Sequence, residues 1–216
     1  MIENGFDEEN FRDAERGFTA PPLASQPRLT LLHSGVLYPQ ERDPRPFFEA
    51  LRQLKASGRI GAADLRVLLR ATGSDGHYRA QLAEYGIDDI VELAPAIAYR
   101  AALQEMLAVD GLLLFQAAMC NHQIPAKLYE YQRAGRPVLT LTDPIGNTAA
   151  AMRAVGASAI VDITDANDIA RGLSGFIEGI RHGRVGGIPA EVAQRNSRRA
   201  RSGELARLLD GLVVGG

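Results

Sequence analysis

Six short apolar runs, near residues 29, 65, 90, 111, 137 and 158, alternate along the chain with stretches that read as helices of about ten residues. That alternation leaves little choice of fold. Strands that are apolar on both faces need cover on both, and the intervening helices supply it. The pattern therefore predicts an α/β chain with one doubly wound, Rossmann-like domain around a mostly parallel six-stranded sheet. The strands read as Leu29–His33, Leu65–Arg70, Ile90–Leu93, Gly111–Phe115, Val138–Thr142 and Ser158–Val161. Helices are expected from the Asp43-Pro44 cap to about Ser57, over His77–Tyr85 before Gly86, and over Tyr99–Val109. Another covers Thr148–Val155, one follows a cap at Asp165 or Asn167, and residues 189–213 read as one or two terminal helices.

Residues 1–27 break the pattern. Six acids crowd the first half of this stretch, and Thr19-Ala-Pro-Pro and Ser25-Gln-Pro follow. Composition of this kind buries little apolar surface and predicts a linker or loose arm ahead of a domain spanning 28–216.

The segment Asn121–Asp143 is the most specific in the chain. Pro125 is tolerated in a first helical turn because the N–H it lacks has no partner there. Lys127 to Ala134 continue the helix, Gly135 ends it, and Val138–Thr142 is a buried strand. The open helix start leaves amide groups free, and such an end attracts phosphate at roughly 0.3–1 kcal/mol per contact. Lys127 and Glu130, three apart on one helical face, read either as an exposed ion pair or as part of a site. In doubly wound sheets ligands bind beyond the carboxyl ends of the strands, where the strand order reverses. Ser34, Gly35, Gly73, Asn121, His122 and Asp143 all fall at such ends.

Other features narrow the function. A net charge of −2 gives no global attraction to nucleic acid or to an anionic membrane. Cys120 is alone, so no disulfide forms within the chain and a reducing compartment, the cytoplasm, is the expected home. The four histidines are far apart and lack zinc-ligand spacing. The Gly73-x-x-Gly76 turn falls short of a dinucleotide fingerprint, and neither a phosphate loop nor a nucleophile elbow is present. Arg42, in the loop after the first strand, reads either as a solvated surface residue or as a fork onto a diphosphate held at the same edge. Asp143 and Asn147 stand where a sugar would lie, although a helix-capping role suits Asn147 better. The cluster Arg195, Arg198, Arg199 and Arg201 reads as a wet helix face. Attraction to lipid headgroups, and so peripheral attachment to the inner face of a membrane, is its second reading.

Here the residues resemble a known family. Ile124-Pro-Ala-Lys-Leu-Tyr-Glu-Tyr-Gln-Arg-Ala-Gly-Arg-Pro-Val-Leu139 is similar to the donor-site segment of retaining nucleotide-sugar glycosyltransferases of the GT-B architecture, the group 1 type. Leu32-His-Ser-Gly-Val-Leu-Tyr-Pro-Gln-Glu-Arg-Asp-Pro44 resembles the first strand and donor loop of their C-terminal domain. Gly73–Arg79 resembles the turn after their second strand, and Val91–Arg100 their base-binding strand and loop. Ile2–Phe11 resembles the linker between their two domains, so the chain is expected to begin there and to lack an N-terminal acceptor-binding domain. The likeness covers roughly residues 28–180.

The resemblance implies roles. Glu130 matches the acid that holds the ribose hydroxyls, and the acid that contacts the sugar would fall at His122, where this sequence departs from the pattern. Val36 replaces a diphosphate-binding Arg, Arg42 stands near a second basic position, and Lys127 shares that work. Backbone groups at Pro95 and Ile97 would hold the base. Ser34, Gly35, Gly73, Ile124 and Pro125 would complete the site for a nucleoside-diphosphate sugar. No metal or other cofactor is called for, since the chain has no Asp-x-Asp pair. The expected function is donor binding in glycan or glycoconjugate synthesis, inactive without the second domain. Two other readings remain: half of a GT-B sugar-nucleotide epimerase, which would want an acid pair at the cleft, and a flavodoxin-like or receiver-like binding module.

Overall fold

The apolar runs do become strands. The computed structural model describes residues 3–157 and 159–214, with side chains through residue 211. In chain order the elements are α1 (Glu8–Glu15), β1 (Leu29–Ser34), α2 (Arg45–Ala56), β2 (Leu65–Arg70), α3 (Asp75–Tyr85), β3 (Val91–Ala94), α4 (Tyr99–Ala108) and β4 (Gly111–Gln116). A 3-10 turn at Ala118–Cys120 precedes α5 (Ala126–Ala134), β5 (Val138–Thr142), α6 (Asn147–Ala154), β6 (Ile160–Asp162), α7 (Ala166–Arg181), α8 (Ala190–Gln194) and α9 (Arg198–Val214). Ser158, the expected start of the last strand, lies outside the described residues, as does Ile2 of the expected linker.

The six strands form one parallel sheet in the order β3-β2-β1-β4-β5-β6. After β3 at the edge, α4 carries the chain back so that β4 pairs with β1. The order reverses there, and in doubly wound sheets ligands bind beyond the carboxyl ends of the strands at such a reversal. On one face α2, α3 and α7 bury Phe47, Phe48, Leu51, Tyr78, Leu173 and Phe176. On the other, α4, α5 and α6 bury Leu103, Met106, Leu128, Tyr131 and Met152. Every residue of β4 is buried. A Cβ on its first residue, Gly111, would come within 2.8 Å of Leu31 and 2.9 Å of Phe176, so a larger residue there would have to displace core side chains. No helix among the described residues is long and apolar enough to cross a membrane.

The arm departs from expectation. Residues 7–15 are no loose linker: Asp7 caps α1 by accepting a bond from the Glu9 amide, and α1 packs on α4. Phe6, Phe11 and Ala14 are buried. Arg133 of α5 binds both Glu8 (2.8 Å) and Glu15 (2.9 Å), with its guanidinium 4.9 Å from the centre of the Phe11 ring. The Phe6 amide and carbonyl bond Asn196 and Arg198, which ties the N-terminal segment to the start of α9. The crowded acids are one side of an amphipathic helix whose other side carries Phe11 and Ala14, three apart as helix packing requires. Two smaller corrections follow. Gly146, not Asn147, takes the cap position of α6, and Asn147 is its first helical residue with no side-chain cap bond at that end. Asp43 acts one residue ahead of Pro44, its carboxylate accepting from the Arg45 amide at 3.0 Å.

Candidate functional site

Pro125 stands at the N-cap of α5 with φ −64°, and Gly135 closes the helix at φ +65°. Lys127 therefore lies in the first turn, beside the carboxyl end of β1. Its Nζ is 3.1 Å from Nε2 of His33, a fully buried residue of β1. The Nδ1 of the same ring lies 2.9 Å from the Leu113 carbonyl oxygen. A carbonyl only accepts, so Nδ1 carries the hydrogen, Nε2 is an acceptor, and the Lys127 amine donates to it. Phe115 holds the ring edge-on at 5.2 Å. Gly35 follows two residues later with φ +106°, and a Cβ there would lie 3.2 Å from the amine. Only glycine suits that backbone, and only glycine leaves the amine its place above the strand end.

The electrostatics of this corner are unusual. Among the described residues, no carboxylate lies within ion-pair distance of Lys127. Burial, joined by repulsion from Arg42 and opposed by Glu130, lowers the Lys127 pKa from its ordinary value to about 7. Burial and then the Lys127 charge hold His33 well below the usual imidazole range. Tyr131, also fully buried, accepts a bond from the Ser34 amide at 2.9 Å, and burial raises its pKa. The Gly35 amide is likewise committed, to Arg70 at 2.9 Å. Ser34 and Gly35 thus offer an anion a hydroxyl and free space rather than backbone donors.

Arg42 closes the near side. Its Nη1 donates to the Val36 carbonyl at 2.7 Å, its guanidinium lies 5.2 Å from the centre of the Tyr38 ring, and its buried Nε has no partner among the described residues. Gly73 (φ +80°) turns the chain after β2, and a Cβ there would meet Val36 at 3.5 Å. On the far side Glu130 accepts a bond from the half-exposed Tyr99 hydroxyl at 2.7 Å. Burial first, and that bond second, raise the Tyr99 pKa. Lys127 and Glu130 do not pair with each other, because His33 and Tyr99 draw them apart. Pro95 and Ile97 are exposed beside Tyr99. The Pro95 carbonyl accepts from Arg70 at 2.7 Å, and Arg70 also forks onto Glu105.

His122 and Ile124 stand apart from this cradle. They line a cavity of about 630 Å³ with Tyr129, Asn147, Asn196 and Arg201, between α5, α6 and the segments at the two ends of the chain. Asp143 is tied down: Asn121 donates to its carboxylate at 2.7 Å and the Ile145 amide at 3.0 Å, and these bonds lower its pKa, the amide more than Asn121. Sequence reasoning passed over His33, Tyr131 and Tyr99. The first two carry a signal of sorts, a polar residue ending an apolar strand and a tyrosine one turn beyond Lys127. Tyr99 sits where α4 begins, with nothing local to mark it.

The strand order, reversing between β1 and β4, defines a Rossmann-like fold, consistent with one half of a GT-B architecture. Among solved structures the chain is similar to sucrose-phosphate synthase from Thermosynechococcus elongatus, with a TM-score of 0.64 and 17% identity over 100% of this chain and 53% of that one. It is also similar to an α,α-trehalose-phosphate synthase (UDP-forming) from Burkholderia xenovorans, with a TM-score of 0.65 and 13% identity over 96% of this chain and 51% of that one. A glycosyltransferase from Rickettsia africae gives 0.60 and 12% over 98% and 56%. The chain spans about half the length of these structures, and at such identities the likeness is one of fold. No protein-family model and no curated protein matches the chain.

Proposed function

We propose that this chain is the C-terminal, donor-binding domain of a retaining glycosyltransferase, and that it holds a nucleoside-diphosphate sugar beyond the carboxyl ends of β1 and β4. The observation that carries this reading is the Lys127 corner. A largely buried amine, aimed over a glycine and supplied with no carboxylate, is costly in an empty protein unless an anion completes it. Lys127 lies in the first turn of α5, where helix amides lack intrahelical partners, and the Arg42 charge acts on the same amine. In sugar transfer, negative charge grows on the leaving β-phosphate. Positive groups oriented beforehand lower that barrier because they need no reorganisation during the reaction. Glu130, held by Tyr99, would take the ribose hydroxyls, and the exposed Pro95–Ile97 turn the base. The fold supports the reading too, since the similar structures carry such names and are about twice this length. The acceptor hydroxyl would arrive from an N-terminal domain across the cleft, so this chain alone would bind donor and transfer nothing. We place this work in glycan synthesis in the cytoplasm, with the α9 arginines as the surface for peripheral attachment to a membrane.

Calorimetric titration with UDP, GDP and ADP tests the reading. At least one should bind, and Arg42→Ala and Glu130→Ala should each weaken it by roughly tenfold, the usual worth of a charged hydrogen bond. Equal affinity in all three proteins would remove both residues from the site.

A further inference from the structure

We infer that His33 is the positioning residue of the cradle, a neutral imidazole locked in the Nδ1–H form that holds the Lys127 amine over Gly35, and that a diphosphate docking there draws a proton from solvent onto that amine wherever it is uncharged beforehand. This rests on the donor-binding reading above.

The geometry carries the first half. An imidazole sealed in the core must have both nitrogens satisfied. Leu113 fixes one as a donor at 2.9 Å, and in a neutral ring the other is then an acceptor, with the Lys127 amine 3.1 Å away. Phe115 packs edge-on against the ring at 5.2 Å. A lysine stem is flexible and its amine would otherwise sweep over the strand ends. The fixed acceptor stops it in one place, with the remaining amine hydrogens facing the space above Gly35.

The second half follows from the charges around the amine. From β1 it meets neutral His33. From the loop after β1 it meets Arg42, which repels it. From its own helix it meets Glu130, whose carboxylate is bonded to Tyr99. Without an anion beside it the amine would be partly uncharged at neutral pH, in keeping with its lowered pKa of about 7. A diphosphate supplies the missing negative charge, and the amine then takes up a proton to become a full ammonium. Affinity should accordingly fall as pH rises through 7, because the proton must be gathered before binding.

The test is calorimetry on the whole chain with UDP-glucose, GDP-mannose and ADP-glucose, whose esterified phosphates exchange no proton near neutrality. Buffers of different protonation enthalpy count the protons. Wild type should take up about half a proton per ligand at pH 7, close to one at pH 8.5 and little at pH 6. Lys127→Met should take up none. His33→Leu should bind about tenfold more weakly, whereas His33→Gln, with an amide oxygen near the place of Nε2, should recover most of the loss. Binding without proton uptake in wild type would overturn the inference, as would a folded His33→Leu protein matching wild type in both affinity and proton count. Either result leaves the donor-binding reading standing. If His33→Leu does not fold, as circular dichroism would show, the wild-type proton count and His33→Gln decide. If wild type binds none of the three ligands, the donor-binding reading fails and this inference with it.

Discussion

Lys127 and Arg133 stand on the same helix, and the protein treats their charges in opposite ways. Arg133 is largely buried and meets two carboxylates of α1, Glu8 and Glu15, through four contacts between 2.8 and 3.0 Å. Burial works against its charge, but those bonds outweigh it and raise its pKa. Lys127 meets an imidazole and a repelling guanidinium, and its pKa falls to about 7. One cation carries its anions within the chain and fastens one element to another. The other is left short of negative charge where the strand order reverses. The contrast separates a structural cation from a binding one by its surroundings, with no appeal to the residue type.

The largest effect expected from breaking this contrast belongs to Arg133→Met. It strands Glu8 and Glu15 and opens the seam between α1 and α5. Loss of one partner from a buried network costs about 3–5 kcal/mol, and with the Glu15 side chain 40% exposed about 2–3 kcal/mol is reasonable here. Urea unfolding would measure it, and nucleotide affinity should be unchanged. Lost affinity at unchanged stability would mean that the two cations have been assigned the wrong way round.

Lys127→Met should do the reverse. Nucleoside-diphosphate affinity should drop by about tenfold to a hundredfold, from about 1.5–3 kcal/mol of charged hydrogen bonding. Stability at pH 7 should hold or rise, because a costly buried amine is gone. The pH dependence has a definite sign. With its folded pKa lowered from 10.5 to about 7, Lys127 binds more protons in the unfolded chain between those values, so wild-type stability rises with pH across that window. The penalty is full below 7. Urea unfolding at pH 7 and 9, a unit below the ordinary tyrosine pKa of about 10, should show a rise in wild type that Lys127→Met lacks. Parallel pH profiles would contradict the lowered pKa.

Much of this was legible beforehand, and the exceptions have causes. Pro125 and Gly135 bracket α5 by local backbone chemistry alone, so the helix with its open end could be placed from its own residues. The carboxyl-end loops followed from the strand–helix alternation in the same way. The His33–Lys127 contact joins residues 94 apart, and only the crossover that brings β4 and α5 beside β1 creates it. The arm misled for a different reason. Composition averages over a segment, whereas burial of Phe11 and Ala14 depends on spacing along a helix, and Glu8 and Glu15 find their partner on an element more than a hundred residues away. The same-face spacing of Lys127 and Glu130 left open an ion pair or a site, and each side chain has a partner from another element.

The two finer tests concern Glu130. Glu130→Ala should weaken nucleoside-diphosphate binding by about tenfold while hardly changing stability, because a carboxylate gripping a ribose diol is worth roughly 1–1.5 kcal/mol. Tyr99→Phe asks how that carboxylate is prepared. The Tyr99 hydroxyl occupies one oxygen of Glu130 at 2.7 Å. If this bond fixes the carboxylate for the sugar ring, its loss should weaken binding by about threefold, near the lower end of what a hydrogen bond contributes. Tyr99 is 50% exposed, so unfolding should be little affected. Tighter binding in Tyr99→Phe would reverse the picture: the tyrosine would then act as an internal stand-in for the ribose hydroxyl. Glu130 would in that case resemble Arg133, satisfied from within, more closely than Lys127, and the cradle would have to release it before a nucleotide could dock.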